Sequence, residues 1–179
     1  MRVITGTARG RSLITLEGED VRPTTDRVKE ALFSIIQFEL EGRTVLDLFA
    51  GSGQLGIEAL SRGAEKAVFV DNAKKSLEVV RKNLENTGLS GKAVLLNRES
   101  ISYIRYCDEK FDIVLMDPPY RSGLLQKALE AVTDCLNPGG IVICEAPKDE
   151  ELPEEIGSGL WKAKKYNYGK ISLTVYRPQ

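Results

Sequence analysis

The sequence predicts an α/β fold, an open and mostly parallel sheet covered by helices on both faces, and three observations carry that prediction. Between residues 44 and 145, short apolar runs of strand length alternate with segments whose apolar residues recur at helical spacing. The runs themselves are continuous rather than alternating, as in residues 113–116, which is the pattern of strands buried on both faces. The last two strand-like pieces, residues 161–168 and 171–175, are joined only by Gly169-Lys170, too short for a crossover helix, so they must be antiparallel.

The elements follow in order. Extended pieces at residues 2–5 and 12–16 flank Gly6 and Arg9-Gly10-Arg11, which predicts a β-hairpin with arginines at its tip. Residues 25–41 place Val28, Ala31, Leu32, Ile35 and Ile36 at helical spacing, with Asp26 suited to the helix dipole near the start and Gly42 past the end. Strands are then expected at 44–49, 66–70, 93–96, Phe111–Met116 and 141–145. Helices are expected between them at Gln54–Ser61, 73–86, 101–106 and 124–136. Gly88 and the cluster Asn137-Pro138-Gly139-Gly140 supply helix stops.

The 179 residues, 42% hydrophobic and 28% charged, fit one domain, with a hairpin extension over residues 1–20 and a core over residues 21–179. No run approaches the roughly twenty apolar residues of a membrane span, and no secretory signal is legible, so a cytoplasmic protein is expected. Three cysteines without CxxC spacing and a complete lack of histidine point away from a disulfide scaffold and from a zinc site, and no metal is expected. The net charge of −1 gives no general basic field. Locally, residues 1–12 and 160–179 carry cations without a single acid, while residues 145–155 are acidic and read as solvated surface.

In an open parallel sheet, ligands bind beyond the carboxyl ends of strands where strand order reverses, and two motifs fall there. The segment Leu46-Asp47-Leu48-Phe49-Ala50-Gly51-Ser52-Gly53-Gln54-Leu55-Gly56 ends a strand, turns on glycines and opens a helix. Gly51 and Gly53 let the backbone turn sharply beneath a ligand, and Gly56 lets helix and strand approach. Asp71 closes the next strand 20 positions after Gly51, where a carboxylate can accept from both hydroxyls of a ribose, with Asn72 beside it. This pattern admits a dinucleotide-dependent oxidoreductase as well as an S-adenosylmethionine enzyme. Asp47 favours the second, because a carboxylate there opposes a pyrophosphate and suits the ammonium group of a methionine moiety. Glu99 and Ser100, after the third strand, suit either the adenine amino group or a helix cap.

The second motif is Asp117-Pro118-Pro119-Tyr120, at the end of the strand Phe111–Met116. Consecutive prolines fix the backbone and remove N–H donors, leaving a rigid cradle of acceptors. An exocyclic amine on a purine is a poor nucleophile because its lone pair is delocalised. Accepting its hydrogens at the Asp117 carboxylate and the Pro118 carbonyl turns that lone pair outward and stabilises the developing positive charge. Tyr120 offers a ring on which the base can stack.

With these residues in hand, nearly the whole chain resembles the RsmD family of small-subunit rRNA guanine-N2 methyltransferases, within the class I S-adenosylmethionine-dependent superfamily. The two motifs are shared widely with amino-methyltransferases. Narrower marks are Ile4-Thr5-Gly6 through Arg9-Gly10-Arg11, the run Arg22-Pro23-Thr24-Thr25-Asp26-Arg27-Val28-Lys29-Glu30-Ala31-Leu32-Phe33, and Leu46 through Gly53 continuing to Glu58-Ala59-Leu60-Ser61-Arg62-Gly63. Asp71 departs mildly from the glutamate often found there, and Thr5 and Gln54 are variants of the usual pattern.

The resemblance implies a Rossmann-like seven-stranded sheet with an antiparallel last strand and methylation of one guanine of 16S rRNA, on the assembled or nearly assembled small subunit, by a monomer. It implies that Asp117, Pro118, Pro119 and Tyr120 hold the guanine. The cofactor residues would be Asp47, Phe49, Ala50, Gly51, Ser52, Gly53, Gly56, Asp71, Asn72, Glu99 and Ser100. Charge placement adds Arg9, Arg11, Arg22, Arg27, Lys165 and Lys170 as RNA contacts, positioning phosphates without reading sequence. A DNA adenine-N6 methyltransferase and a non-catalytic RNA-binding assembly factor remain as alternatives.

Overall fold

A computed structural model describes residues 1–17, 26–157 and 159–179. Strands β1 (Thr44–Asp47), β2 (Lys66–Asp71), β3 (Ala93–Asn97), β4 (Phe111–Met116), β5 (Leu136–Pro147), β6 (Glu155–Ile156), β7 (Leu160–Tyr168) and β8 (Ile171–Pro178) form one sheet in the order β3-β2-β1-β4-β5-β8-β7-β6. The first five are parallel, whereas β8 runs antiparallel to β5 and to β7, which also pairs antiparallel with β6. Strand order reverses between β1 and β4, so their carboxyl ends open a crevice at the switch point.

Helices α1 (Asp26–Ile35), α2 (Gln54–Ser61), α3 (Lys74–Thr87), α4 (Ser100–Tyr106) and α5 (Leu124–Ala131) cover the sheet. Alternation along each strand divides the core. Val45, Phe69, Leu115 and Ile143 pack with α1, α2 and α3, while Leu46, Val70, Met116 and Cys144 pack with α4 and α5. None of the described helices is long and apolar enough to cross a membrane.

The structure differs from expectation in four places. An eighth strand, β6, extends the sheet beyond the expected seven; it has only two residues, too few to show a period. The hairpin keeps a single antiparallel bridge, Arg2 to Ser12, because side chains of the core take the backbone groups a ladder would use. Glu58 accepts from the Ile4 and Thr5 N–H groups at 2.9 and 3.0 Å, Ser61 Oγ accepts from Ala8 N–H at 3.0 Å, and Asn83 Oδ1 accepts from Ile14 N–H at 2.7 Å. Helix α1 stops at Ile35, and a tight turn in which Glu39 N–H donates to Ile36 carbonyl still buries Ile36 and Leu40. Finally, α5 tightens to a 3₁₀ turn after Ala131, and Asn137-Pro138-Gly139-Gly140 falls inside β5, where the pairing with β4 slips between Phe111 and Ile113.

A buried ionic group fastens the amino-terminal segment. Lys29 Nζ lies 3.6 Å from Glu58, both side chains being inaccessible, and donates to the Arg2 carbonyl at 2.5 Å. Burial pushes the Lys29 amine below its ordinary value, against the pull of Glu58 and Asp26.

Candidate active site

A cavity of about 340 Å³ opens at the carboxyl ends of the parallel strands. Phe49, Ala50, Gly51 and Ser52 enter from the loop after β1, Asp71 and Asn72 from the end of β2, Glu99 and Ser100 from the end of β3, and Asp117, Pro118 and Pro119 from the end of β4. Both sequence motifs therefore face one space. Met1 and Leu16, which sequence reasoning missed, form part of the wall, because the fastened amino-terminal segment lies along α2 and α3.

The glycine loop is shaped by carboxylates that accept from main-chain N–H groups. Asp71 accepts from Gly51 N–H and from Ala73 N–H, each at 2.9 Å. Gly51 and Gly53 take φ of 55° and 80°, and Gly53 caps α2. A Cβ on Gly56 would stand 2.3 Å from the Phe69 ring, which confirms close helix–strand packing as its role. Asp47 lies beneath this loop and does not line the cavity. It is 1% exposed, and its Oδ2 accepts from Gly56 N–H at 3.0 Å. Burial raises its carboxyl to about 7, opposed by the Gly56 bond and reinforced by the Asp71 charge. Its Oδ1 has no hydrogen-bond partner among the described residues. Asp47, Gly53 and Gly56 thus build the cavity from behind.

Beside them, Glu99 caps α4, accepting from Ile101 and Ser102 N–H groups at 2.9 and 2.8 Å. Burial acts to raise its carboxyl, but these bonds and the Ser102 hydroxyl prevail and the net direction is down. Ser100 Oγ donates to the Leu48 carbonyl at 2.7 Å, tying β3's end to β1's. Glu99 and Ser100 thus bound the cavity while serving as local structure.

The Asp117-Pro118-Pro119-Tyr120 turn splits in two directions. Asp117, Pro118 and Pro119 face the cavity, whereas Tyr120 turns to an adjoining recess that shares the two prolines. The Tyr120 hydroxyl donates to Glu145 Oε1 at 2.8 Å, and Glu145 is 3% exposed. The sequence places Glu145 on a solvated acidic surface; nothing in its sequence surroundings marks it as buried at the end of β5. Ser122 Oγ donates to the Pro119 carbonyl at 2.6 Å and closes the turn.

The expected RNA contacts scatter. Arg9 and Arg11 are exposed on a turn that packs on Ser61, at the end of α2 remote from the cavity, because Thr7 N–H donates to the Ser61 carbonyl. Arg27 is exposed on the first turn of α1, and Arg22 lies outside the described residues. Lys165 Nζ donates to the Lys148 and Glu150 carbonyls at 3.0 and 3.3 Å. Lys170 alone of this group shares a recess with Tyr120.

A five-strand parallel sheet reversing at a glycine loop, with an antiparallel carboxyl-terminal extension, defines the class I methyltransferase fold. The chain belongs to the RsmD family: the family described as "Conserved hypothetical protein 95" matches residues 1–177. It is 37% identical to Ribosomal RNA small subunit methyltransferase D of Haemophilus influenzae, over 99% of this chain and 93% of that one. With the protein of the same name from Escherichia coli K12 it shares 36% identity over 86% of this chain and 78% of the other. Among solved structures, "Putative methyltransferase yhhF from Escherichia coli" superposes with a TM-score of 0.89 at 32% identity, covering 100% of this chain and 98% of that one. Membership sets aside the oxidoreductase reading of the glycine loop.

Class I methyltransferases use S-adenosylmethionine, and the residues present fit it. Asp71 at the cavity wall suits a ribose diol, and the glycine loop that it holds lets a nucleoside approach the main chain.

Proposed function

We propose that the protein methylates the exocyclic N2 amine of a guanine in 16S rRNA, on the small ribosomal subunit in the cytoplasm, with S-adenosylmethionine as donor. The observation that carries this reading is the single cavity shared by the glycine loop and by Asp117 and Pro118. A cradle for an amine and a site for a nucleoside cofactor open onto the same space. The relatives' names supply the substrate class, since two of them are small-subunit rRNA methyltransferases.

S-adenosylmethionine, when bound, would supply a methyl group activated by its sulfonium sulfur, which leaves as a neutral thioether. The chain's own residues prepare the acceptor. Asp117 carboxylate and the Pro118 carbonyl accept the amine hydrogens, pyramidalising the nitrogen, and Asp117 stabilises the charge that develops as the bond forms. Pro119 keeps the turn rigid and free of competing donors. Tyr120, held at its hydroxyl by Glu145, presents a fixed ring to the base. A paired guanine cannot reach this cavity, so the target is unpaired or flipped.

The test is transfer of labelled methyl to naked 16S rRNA, small subunits and duplex DNA in parallel, followed by nucleoside identification. N2-methylguanosine in RNA is expected. Label in DNA adenine, or no transfer despite cofactor binding, would overturn the reading in favour of the DNA enzyme or the non-catalytic factor.

A further inference from the structure

We infer that a second recess, on the side of Tyr120 away from the cofactor cavity and bounded by Arg121, Lys148 and Lys170, grips the phosphate backbone of the RNA strand next to the target nucleotide. The inference rests on the RNA-methylation reading and adds to it a place for the strand.

The recess measures about 610 Å³ and brings together three segments: the turn after β4, the turn after β5 and the β7–β8 turn. Each contributes one cation, and the one acid among the described residues on its wall is Asp149. The lysine platform is braced from within. Lys148 N–H donates to the Lys170 carbonyl at 2.9 Å, and Lys165 Nζ donates to the carbonyls of Lys148 and Glu150, so the two turns are tied together. These bonds order the main chain that carries Lys148 and Lys170, which lowers the ordering cost of binding a polyanion between them.

Arg121 adds a second, independent sign. It is the one non-glycine among the described residues with positive φ, at 57°. That conformation costs free energy in an L-residue and concentrates where function requires it. Here it directly follows Tyr120. Its partner, Asp149, lies 3.3 Å away, but the two side chains are 74% and 73% exposed. Such a pair is weak and yields to a phosphate, which can accept two guanidinium N–H bonds in parallel. Tyr120 lines this recess and the one it shares with Pro118 and Pro119, so a strand whose base stacks on the ring has its neighbouring phosphate over the three cations. Arg9 and Arg11, at the remote end of α2, have no such continuity with the tetrapeptide.

The test titrates a labelled single-stranded RNA dodecamer against wild-type protein, Lys148→Ala/Lys170→Ala, Arg121→Gly and Asp149→Asn over a range of salt, with cofactor affinity as the check on folding. The double variant should bind about tenfold more weakly, with a salt slope shallower by about 1.4, roughly 0.7 for each phosphate no longer neutralised. Arg121→Gly keeps the left-handed turn while removing the guanidinium, and should weaken binding severalfold. Asp149→Asn removes the competing carboxylate and should tighten it. Wild-type affinity and slope in the double variant, from a protein that methylates RNA, would overturn the inference and leave the proposed function standing. A wild-type protein that methylates no RNA would overturn the proposed function, and the inference with it.

Discussion

The cofactor half and the substrate half of the cavity are held in different ways. On the cofactor side, carboxylates clamp main-chain N–H groups: Asp71 holds Gly51 and Ala73, Asp47 holds Gly56, and Glu99 holds Ile101 and Ser102. On the substrate side, a rigid proline turn is steadied by side-chain contacts, chiefly Tyr120 to Glu145 near the end of β5. The cofactor loop is thus shaped by backbone bonds, which tolerate little change. The substrate wall is set by separable side chains, so a nucleotide's position can be altered without disturbing the cofactor. Substitutions at four positions probe this division, from the largest expected effect to the smallest.

Lys29→Met strips one of the two cations from the buried Glu58, which also fastens Ile4 and Thr5 and keeps Arg62 Nε at 2.9 Å. A loss of about 3 kcal/mol in unfolding free energy is expected, the low end for a broken buried pair, because Glu58 keeps Arg62 while the Arg2 carbonyl also loses its donor. Cofactor affinity should fall with it, since Met1 and Leu16 form part of the wall; denaturant titration beside calorimetry reads both.

Asp47→Asn acts through pH. The folded carboxyl sits at about 7, above its unfolded value, so the native state holds the extra proton. The stability Asp47 contributes is full below its unfolded pKa and is lost as pH rises through about 7. The asparagine variant lacks that loss, so its advantage over wild type should grow by about 3 kcal/mol between roughly pH 5 and pH 8. Thermal unfolding at both pH values checks the sign, and a constant difference would refute it.

Asp71→Ala removes the acceptor for Gly51 and Ala73 N–H groups as well as the proposed ribose contact. Cofactor Kd should rise about 30-fold, roughly 2 kcal/mol, with the rate at saturating cofactor little changed. A collapse of that rate would show that the two halves are coupled.

Glu145→Ala frees the Tyr120 hydroxyl and should raise KM for RNA about fivefold, near 1 kcal/mol, without moving cofactor affinity. Glu145→Gln keeps an acceptor and should restore most of the loss. A merely structural role would fail to separate these two variants in KM.

The difference between the halves also explains what was legible in the sequence. Helix α2 and strand β4 have the bounds their periodicity predicts, and Gly51, Asp71 and Asp117-Pro118-Pro119 converge as their positions imply. Local patterns suffice where neighbouring residues make the contacts. Glu145, Met1, Leu16 and the Lys148–Lys170 platform come together only through tertiary pairing, which no short window records. Asp47, expected to face the cofactor, instead holds Gly56 from below, because a buried carboxylate so close to the start of α2 is captured by that helix's unpaired N–H groups. The expected helix stop at residues 137–140 is a bulge inside β5, since a 3₁₀ turn has already ended the helix.

The most direct test of this division of labour is Asp117→Ala, with cofactor Kd by calorimetry and single-turnover methyl transfer to small subunits measured on the same preparation. Cofactor Kd within about twofold of wild type and a transfer rate lower by about 100-fold or more are expected, since Asp117 acts on the amine as charge develops. A retained transfer rate, or a loss of rate matched by an equal loss of cofactor affinity, would contradict it.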